Sequence, residues 1–403
     1  MKDSLASRPL RVALFSESYE PVRNGVSTSV RTLIDELRAR RHHVVVLAPH
    51  YPDHVDDSPF VMRVPSLLTP INPGYPLPYP WFPRLRRELR RLSLDVLHSH
   101  TPWFLGMLAA RIAHETGTPH ISTYHTLYDR YLHYLFFMPP GASHTLLEWW
   151  LPEFYNQCAR VIVPSRVAER SLRQYGVTTP IEVVPTGTPL PSSEHLTPAS
   201  RAAVRDRFEV PQGAPLLLYV GRIAREKNVE LVIDSFQAVA RDLPQAHLLV
   251  VGSGPHLRAC RRRAERTGVS ARIRFAGAIP RSELDAIYAA ADLFVFGSTT
   301  ETQGLVVAEA RAAGLPAVAA DEGGAAESMA RGEEGLAVPA TTEAFAEAIR
   351  ALLRNRHRLA CMRAACLRNA PRFTPGAMAE RVEHIYRLTA ESGHASRAAR
   401  AAR

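Results

Sequence analysis

Short apolar runs alternate with amphipathic stretches along most of the chain. Two of these runs, residues 10–15 and 216–220, are continuous enough to predict buried strands, and a loop and apolar positions at helical spacing follow each of them. Because strands that alternate with helices favour parallel pairing, we expect a parallel sheet covered by helices in each half of the chain. The pattern therefore predicts an α/β fold.

The apolar pattern predicts several individual helices and strands in the N-terminal half of the chain. One amphipathic helix is expected over residues 26–40 and another near residues 103–115. Strands are expected at residues 10–15, 43–47, 95–100, 120–126, 160–164 and 181–184.

The linker between the halves is marked by prolines and serines at residues 189–198. A chain of 403 residues is also too long for one ordinary core, which favours two domains. We expect an N-terminal domain over residues 1–190 and a C-terminal domain over residues 191–375. A helix is expected over 376–391, and the Ala- and Arg-rich residues 392–403 are predicted to be disordered.

Charge and cysteine content narrow the range of partners. The net charge of +10 suits anionic partners, such as nucleotide diphosphates or anionic lipid. No zinc-finger or RNA-recognition pattern occurs, so we expect no nucleic-acid partner. The four cysteines lack metal-ligand spacing, and no apolar stretch is long enough to span a membrane. Without a signal-peptide core, the protein is expected to be cytoplasmic and to lack disulfides.

Two glutamates mark the most informative segment of the second half. Glu301 and Glu309 bracket the start of a predicted helix, residues 305–313, that is otherwise almost wholly apolar. A carboxylate there is costly to desolvate unless a donor contacts it, and free N–H groups near Gly304 attract negative charge. The segment predicts a site for a ligand with hydroxyls and negative charge. For Glu309 alone, a bond to a neighbouring side chain is the favoured alternative.

A second loop carries the positive charges that such a ligand requires. Gly221 ends the strand at 216–220, and Asn228 is expected to cap the following helix. Arg222 and Lys227 flank this loop at the carboxyl edge of the sheet, where open α/β folds bind ligands. Arginine offers a planar fork to a diphosphate and lysine a point charge. Two solvated surface cations are the alternative.

In the first half, Gly25 and His125 are the candidates for ligand contact. Gly25 begins a helix, where backbone N–H groups can approach a phosphate or sugar, although a helix start that merely needs glycine explains it equally. His125 is expected to end a strand and to donate to a sugar hydroxyl or to charge in the transition state. A structural histidine is the alternative.

Aromatic side chains are dense between residues 124 and 155. Part of this set must be core, and the rest would suit a lipid chain or a membrane interface. The candidates for acceptor or membrane contact are Tyr128, Tyr131, Tyr134, Trp149 and Trp150.

A basic amphipathic helix predicted over residues 81–94 is the second candidate for membrane contact. Arg86, Arg87 and Arg90 cover its polar side, as in helices that lie on anionic lipid. The favoured alternative is that its apolar stripe packs on the sheet, which leaves the arginines available to lipid.

Together these motifs resemble the retaining nucleotide-sugar glycosyltransferases of family 4. The Glu-x7-Glu segment, the Gly221-Arg222…Lys227-Asn228 loop and the Gly323-Gly324 turn occur in the family's order, and the resemblance covers nearly the whole chain. It implies the GT-B fold, with two Rossmann-like, doubly wound domains facing across a cleft. It also implies a C-terminal helix that crosses back to the first domain. Because Arg222 and Lys227 would supply the positive charge for a diphosphate, we expect a reaction without metal or other cofactor.

The resemblance also implies a role for each candidate residue. Arg222 and Lys227 neutralise the departing diphosphate, Glu301 accepts from a sugar hydroxyl, and His125 orients the reacting sugar. Retaining glycosidases use two facing carboxylates, but no convincing nucleophile occurs here. The family is thought to react on one face of the sugar. The donor-binding residues so implied are Gly25, Arg222, Lys227, Gln303, Gly304, Leu305 and Glu309, with Glu309 accepting from the ribose hydroxyls.

Several segments look like the branch of the family that glucosylates diacylglycerol. Many members carry Glu-Gly-Phe-Gly where this chain has Glu301-Thr302-Gln303-Gly304, and this departure favours the lipid branch. We expect transfer of a hexose, with glucose from UDP-glucose favoured, to a lipid by an enzyme peripherally bound to the inner face of the plasma membrane. The alternatives are a soluble sugar or metabolite acceptor, a glycogen-type polymerase or phosphorylase, and a non-catalytic, basic membrane-binding protein.

Overall fold

The computed structural model describes residues 8–56, 58–68, 76–79, 83–128 and 140–401. The chain divides into two compact units. The N-terminal unit contains Met1–Gly187 and Pro375–Arg403, and the C-terminal unit contains Thr188–Thr374. The division therefore falls a few residues before the linker boundary expected from the prolines.

A parallel sheet of seven strands forms the centre of the N-terminal unit. The strands of this unit are β1 (Arg11–Phe15), β2 (His43–Pro49), β3 (Val61–Val64), β4 (Ser66–Leu67), β5 (Leu77–Pro78), β6 (Val96–Ser99), β7 (His120–Thr123), β8 (Arg160–Val163) and β9 (Ile181–Val183). The sheet has the order β3-β2-β1-β6-β7-β8-β9, and β4 and β5 form a separate antiparallel pair.

Helices cover both faces of this sheet, and β1 shows why they must. The helices of the unit are α1 (Gly25–Ala39), α2 (Pro83–Arg91), α3 (Phe104–Thr116), α4 (Pro140–Tyr155) and α5 (Arg166–Gln174), to which the C-terminal helix is added. Val12 and Leu14 pack with side chains of α1, whereas Ala13 and Phe15 pack with side chains of α3. Because successive strand residues point to opposite faces, an apolar strand needs a helix on each side.

The C-terminal unit repeats this arrangement with six parallel strands. Its strands are β10 (Leu216–Val220), β11 (His247–Val251), β12 (Ile273–Gly277), β13 (Leu293–Phe296), β14 (Ala317–Ala320) and β15 (Gly335–Val338). Its helices are α6 (Pro198–Arg207), α7 (Val229–Asp242), α8 (Leu257–Arg266), α9 (Arg281–Ala290), α10 (Leu305–Ala312), α11 (Thr342–Arg354) and α12 (Arg356–Asn369). The sheet order is β12-β11-β10-β13-β14-β15.

Both sheets are doubly wound: successive strands are added on one side of the first strand and then on its other side. The reversal lies between β1 and β6 in the N-terminal unit and between β10 and β13 in the C-terminal unit. Open α/β sheets bind ligands in the crevice outside the carboxyl ends of the strands at such a switch point. The loops after these four strands are therefore where a site is expected.

Three details differ from the sequence-based expectations. β7 ends at Thr123, so His125 lies in the following loop and not in the strand. Asn228 precedes α7 but has a left-handed backbone, with φ of 52°, and its side chain accepts no capping hydrogen bond from the helix. Its side-chain N–H instead donates to the Gly297 carbonyl (3.3 Å). The last helix, α13 (Pro375–Ala401), continues through the tail predicted to be disordered, because alanine and arginine are strong helix formers.

Candidate active site

Lys227 and Glu301 meet at the switch point of the C-terminal unit. Lys227 ends a short 3-10 turn after β10, and Glu301 lies in the loop after β13. The Lys227 Nζ donates to Glu301 Oε1 in an ion pair, and the two side chains are only 18% and 15% exposed. Because β10 and β13 are adjacent and parallel, their carboxyl ends bring together residues that are 74 positions apart.

The loops after β10 and β11 line an open cavity beside Arg222. The cavity measures about 450 Å³, and its wall includes exposed Arg222, Gly221 and the Gly252-Ser253-Gly254 turn. A Cβ atom added to Gly252 would lie 1.8 Å from the Gly221 carbonyl oxygen, so the close approach of the two loops requires glycine there. The Gly252-Ser253-Gly254 turn is thus closely packed, with space for a ligand beside it.

The loop of Gln303, Gly304 and Leu305 leads into α10 and is supported by the Gly323-Gly324 turn. The Gly324 N–H donates to the Glu301 carbonyl (2.6 Å), and a Cβ atom added to Gly324 would lie 2.1 Å from the Thr302 oxygen. The Leu305 N–H donates to the Gln303 carbonyl (3.1 Å), so one of the amides expected to bind the donor already has an acceptor. The turn holds the Glu301 loop in place at the start of the helix.

Glu309 lies on α10 and has two side-chain partners from α9. The Tyr288 hydroxyl donates to its Oε2 (2.8 Å), and Arg281 Nε lies 3.6 Å from its Oε1. Burial raises the pKa of Glu309, and both partners oppose that rise. The bond to a neighbouring side chain, which was the favoured alternative for Glu309, is therefore present. Its oxygens keep further lone pairs for a ligand hydroxyl, so ribose binding stays a prediction.

In the N-terminal unit, His125 is hydrogen-bonded to another histidine. His125 Nε2 lies 2.9 Å from Nδ1 of His100, which follows β6 at the switch point, and the two rings stack at 5.2 Å. Burial lowers the pKa of His125 to about 4, so the ring is neutral at pH 7. A neutral imidazole has one N–H donor and one acceptor, which suits it to orient a hydroxyl.

Gly25 is the first residue of α1, which starts after β1. The preceding Asn24 and Ser27 form a reciprocal capping box, in which each side chain bonds the other residue's backbone N–H (2.9 Å each). The helix start is thus well defined, and Gly25 itself is exposed. Its contact with a donor stays a prediction.

Glu17 is an acidic residue at the carboxyl edge of the N-terminal sheet, in the loop after β1, and the sequence did not identify it. Its carboxylate accepts from the Leu105 N–H (3.0 Å) at the start of α3 and from the Thr101 hydroxyl (3.3 Å). Burial raises the pKa of Glu17 to about 7 despite these hydrogen bonds. Its place directly after an apolar strand was the available signal, and the acid itself has no distinctive pattern.

Comparison with known proteins identifies the family. The family model described as Glycosyltransferase Family 4 matches residues 23–190, and the model described as Glycosyl transferases group 1 matches residues 200–372. The chain is 31% identical to an alpha-monoglucosyldiacylglycerol synthase of Streptococcus pneumoniae over 77% of this chain and 71% of that protein. The chain belongs to glycosyltransferase family 4.

Two further comparisons place the protein within this family and fold. A GDP-mannose-dependent alpha-mannosyltransferase of Mycobacterium tuberculosis is 32% identical over 82% of this chain and 84% of that protein. The solved sucrose-phosphate synthase of Thermosynechococcus elongatus has a TM-score of 0.75, with 23% identity, and the match covers 94% of this chain and 99% of that one. The fold class predicted from the sequence is therefore confirmed as GT-B, and the protein is a hexosyltransferase.

The aromatic residues of this glycosyltransferase divide into core and surface. Tyr128 and Trp150 both pack near Trp103, with ring centroids at 5.5 and 6.3 Å, and are partly buried against the apolar cluster around α4. Trp149 is 62% exposed. Tyr131 and Tyr134 lie outside the described residues. The expectation that part of the aromatic set is core is confirmed.

The apolar side of α2 packs inside the unit. Leu89 is buried in the cluster with α3 and the sheet, which confirms the alternative favoured for this helix. Arg86 and Arg90 both form ion pairs with Glu115 of α3, whereas Arg87 is exposed. Two of the three predicted membrane arginines therefore help to hold α2 against α3.

Two absences hold for the ranges that the structure describes. The helices there include none with both the length and the apolar character needed to cross a membrane. No three or more His, Cys, Asp or Glu side chains in those ranges are grouped so that they could hold a metal ion.

His100, Arg281 and Tyr288 contact predicted site residues but were missed. Arg281 and Tyr288 lie seven positions apart on one helix and reach the same carboxylate, a spacing that places them on one face. His100 forms part of a His98-Ser99-His100 pattern at a strand end, which was the available signal. Their partners are distant in sequence, so the pattern alone did not assign them a role.

Proposed function

We propose that the protein transfers glucose from UDP-glucose to a diacylglycerol-type lipid with retention of configuration. The observation that carries the proposal is the Lys227–Glu301 pair at the switch point of a family 4 chain. The similarity to an alpha-monoglucosyldiacylglycerol synthase supports the lipid acceptor. The Glu301-Thr302-Gln303-Gly304 segment, which resembles that branch, supports it independently.

The donor is bound by residues of the loops after β10 and β13. Lys227 and Arg222 would hold the diphosphate, since the negative charge on the leaving phosphate grows in the transition state. A lysine ammonium has three donors, so Lys227 can bond a phosphate oxygen while it keeps Glu301. Glu301 then retains acceptor capacity for a sugar hydroxyl. Gln303 and Gly304 would contact the sugar or phosphate at the start of α10.

The same cations make a metal ion unnecessary in this proposal. Metal-dependent transferases use a divalent cation to neutralise the diphosphate, and Arg222 and Lys227 would supply that positive charge here. A chelator should therefore leave the rate of transfer unchanged. A rate that a chelator abolishes and added Mg²⁺ or Mn²⁺ restores would contradict this part of the proposal.

Exposed side chains of the N-terminal unit support the proposal of a lipid acceptor. Leu146 and Trp149 are three positions apart on α4 and are 36% and 62% exposed, while Arg87 and Arg91 are exposed on and at the end of α2. Exposed tryptophan and arginine favour the interface of an anionic membrane. We propose peripheral binding at the cytoplasmic face, where a lipid acceptor would reach the enzyme.

Nucleotide release by the purified protein tests the proposal. UDP-glucose, UDP-galactose and GDP-mannose are each supplied with and without anionic liposomes that contain diacylglycerol. We expect release from UDP-glucose that the liposomes strongly raise, with a glycolipid product whose anomeric configuration is read by NMR. The GDP-mannose arm covers the donor named for the mycobacterial relative.

Liposomes without diacylglycerol are the matched control for membrane binding alone. Release that lipid does not affect would assign a soluble acceptor, and release from GDP-mannose alone would change the donor. A protein that neither releases nucleotide nor binds any donor would refute catalysis and favour the non-catalytic alternative.

A further inference from the structure

Three histidine rings form a row at the switch point of the N-terminal unit. His98 lies in β6, His100 follows that strand and His125 follows β7. The ring centroids of His98 and His100 are 4.2 Å apart, and those of His100 and His125 are 5.2 Å apart. Of the three rings, only His125 has a predicted role, which is to orient the reacting sugar, so the two inner rings have no role assigned.

His98 has a hydrogen-bond partner on each ring nitrogen. Its Nδ1 lies 2.6 Å from the Tyr386 hydroxyl of α13, and its Nε2 lies 2.7 Å from the Thr123 hydroxyl. A hydroxyl can donate or accept, so both tautomers of His98 are satisfied. His98 therefore supports the row by packing and does not select a tautomer.

His100 differs because one of its nitrogens has no partner among the described residues. Its Nδ1 bonds His125 Nε2 at 2.9 Å, whereas its Nε2 is buried and unbonded. Burial lowers the pKa of both rings, so both are neutral at pH 7. A single proton then occupies the Nδ1···Nε2 hydrogen bond, and it belongs to one ring or to the other.

The unbonded nitrogen decides which ring donates. If His125 donated, His100 would carry its own proton on Nε2, which would be a buried N–H without an acceptor. If His100 donates from Nδ1, its Nε2 is a lone pair, and a buried acceptor without a donor is tolerated better than an orphaned N–H. The second arrangement is therefore favoured, and it leaves the proton of His125 on Nδ1.

We propose that His100 is a positioning residue that holds His125 in the Nδ1–H tautomer, so that Nδ1 is the donor presented to the sugar. His125 Nδ1 has no hydrogen-bond partner within the ranges that the structure describes. The inference rests on the proposed function, together with the contact to the reacting sugar that the family resemblance implies for His125. It adds that His125 donates to a sugar oxygen and cannot accept from a sugar hydroxyl at that atom.

The tautomer of His125 is measured by two-bond ¹H–¹⁵N NMR on protein labelled with ¹⁵N-histidine. Protonated and bare nitrogens of a neutral imidazole resonate far apart, and the His125→Gln variant identifies the signals of His125. We expect Nδ1–H in the parent protein. His100→Leu removes the hydrogen bond that fixes the ring of His125. The ring can then turn its Nε2 towards water, and Nε2–H, the tautomer that free imidazole side chains prefer, should be populated. His100→Asn, whose amide N–H can donate from near the same position, should retain Nδ1–H.

Kinetics give a second reading on the same variants. With the nucleotide sugar and acceptor that the enzyme uses, His100→Leu should lower kcat roughly tenfold or more and leave the KM for the donor unchanged. His100→Asn should recover most of that loss. His120→Leu is the matched control, because His120 is a buried histidine of β7 that bonds Ser99 (2.9 Å) instead of His125. It should alter stability but neither the tautomer nor kcat.

The outcomes separate this proposal from the proposed function. An Nε2–H tautomer in the parent protein overturns the positioning role of His100, whatever the enzyme transfers, and so does a His125 tautomer that His100→Leu leaves unchanged. The parent measurement decides even if a variant fails to fold. An Nδ1–H tautomer that depends on His100, in a protein that releases no nucleotide from any donor, supports the positioning role and refutes the proposed function instead.

Discussion

Lys227 and Glu301 carry opposite charges in a place where water has little access to either side chain. Each partner compensates the desolvation of the other, so the pair is stable before a donor binds. A diphosphate brings additional negative charge to Lys227, and the ammonium can contact both anions. This single contact thus links the ammonium predicted to bind phosphate to the carboxylate predicted to bind the sugar.

Replacement of Lys227 tests this link. Lys227→Ala should lower kcat by about 10²–10³-fold, since a fixed charge on the leaving group is lost, while far-UV circular dichroism stays unchanged. Arg225→Ala is the control, because Arg225 is an exposed cation of the same turn. Nucleotide-release rates that fall equally in both variants would show that general positive charge, and not Lys227, is responsible.

The raised pKa of Glu17 predicts that the free energy of unfolding depends on pH. Its pKa is about 7 in the folded protein, against 4.5 as the ordinary value, so the folded state binds the proton more tightly than the unfolded state. The resulting stabilisation is fully present below about pH 4.5 and is lost as the pH rises through 7. Glu17→Gln cannot ionise, so its unfolding free energy should not fall in this way. We expect the difference in unfolding free energy between variant and parent to be about 1–3 kcal/mol more in favour of the variant at pH 8 than at pH 5.

Urea denaturation of both proteins at the two pH values measures this difference. Glu20→Gln, at a nearby and partly exposed carboxylate that pairs with Arg31, controls for the removal of one charge. If the Glu17→Gln and Glu20→Gln variants show the same pH dependence, the proton of Glu17 does not contribute to stability.

At the scale of secondary-structure elements, α13 completes the N-terminal unit from the far end of the chain. Met378, Val382 and Ile385 repeat at helical spacing and pack in the same cluster as α1 and β1. Tyr386 joins this apolar face and carries one polar atom, its hydroxyl, to His98. The helix is therefore attached by packing and oriented by a hydrogen bond.

Removal of that hydroxyl should weaken the attachment. Tyr386→Phe leaves His98 Nδ1 buried without its partner, so we expect a loss of about 1–3 kcal/mol in the free energy of unfolding. The control is Thr389→Val, since the buried Thr389 hydroxyl bonds only the Ile385 carbonyl of its own helix (2.7 Å). Equal unfolding free energies for Tyr386→Phe and the parent would show that the hydrogen bond contributes nothing net.

At the scale of the whole molecule, the two parallel sheets share the same order over six strands, to which the N-terminal sheet adds β9, but the units differ in their polar loops. The C-terminal unit has Arg222, Lys227 and Glu301 at its switch point, whereas the N-terminal unit has neutral histidines and Glu17. The net charge of +10 is a separate property, spread over exposed arginines of both units. It predicts attraction to anionic surfaces that weakens with salt.

Charge reversal on α2 should reduce binding to anionic liposomes more than the same reversal elsewhere. We expect the Arg87→Glu/Arg91→Glu variant to lose about 2 kcal/mol or more of liposome binding at low salt, since each cation near an anionic surface contributes about 1 kcal/mol. Arg258→Glu/Arg262→Glu on α8 makes the same change in net charge in the other unit. If both variants cosediment with the liposomes equally well, α2 does not bind the membrane.

Local patterns predicted the elements whose stability depends on near neighbours. The strand Leu216–Val220 was predicted within its observed bounds, because a continuous apolar run indicates burial without knowledge of what covers it. Composition predicted a disordered tail, whereas helix α13 extends to Ala401, since alanine and arginine have high helix propensity. Asn228 was expected to be a cap by residue type, but the tight turn before it placed its side chain elsewhere.

By itself, the amino-acid sequence determined the α/β alternation, the buried strands and the loops that carry Lys227 and Glu301. These depend on spacing and residue type within about ten positions, which a single chain displays directly. The tertiary structure decided the pairing of Lys227 with Glu301, of Glu309 with Tyr288 and of His125 with His100. Such pairs join separate strands and helices, and burial sets their protonation, so they exist only once the sheets have formed.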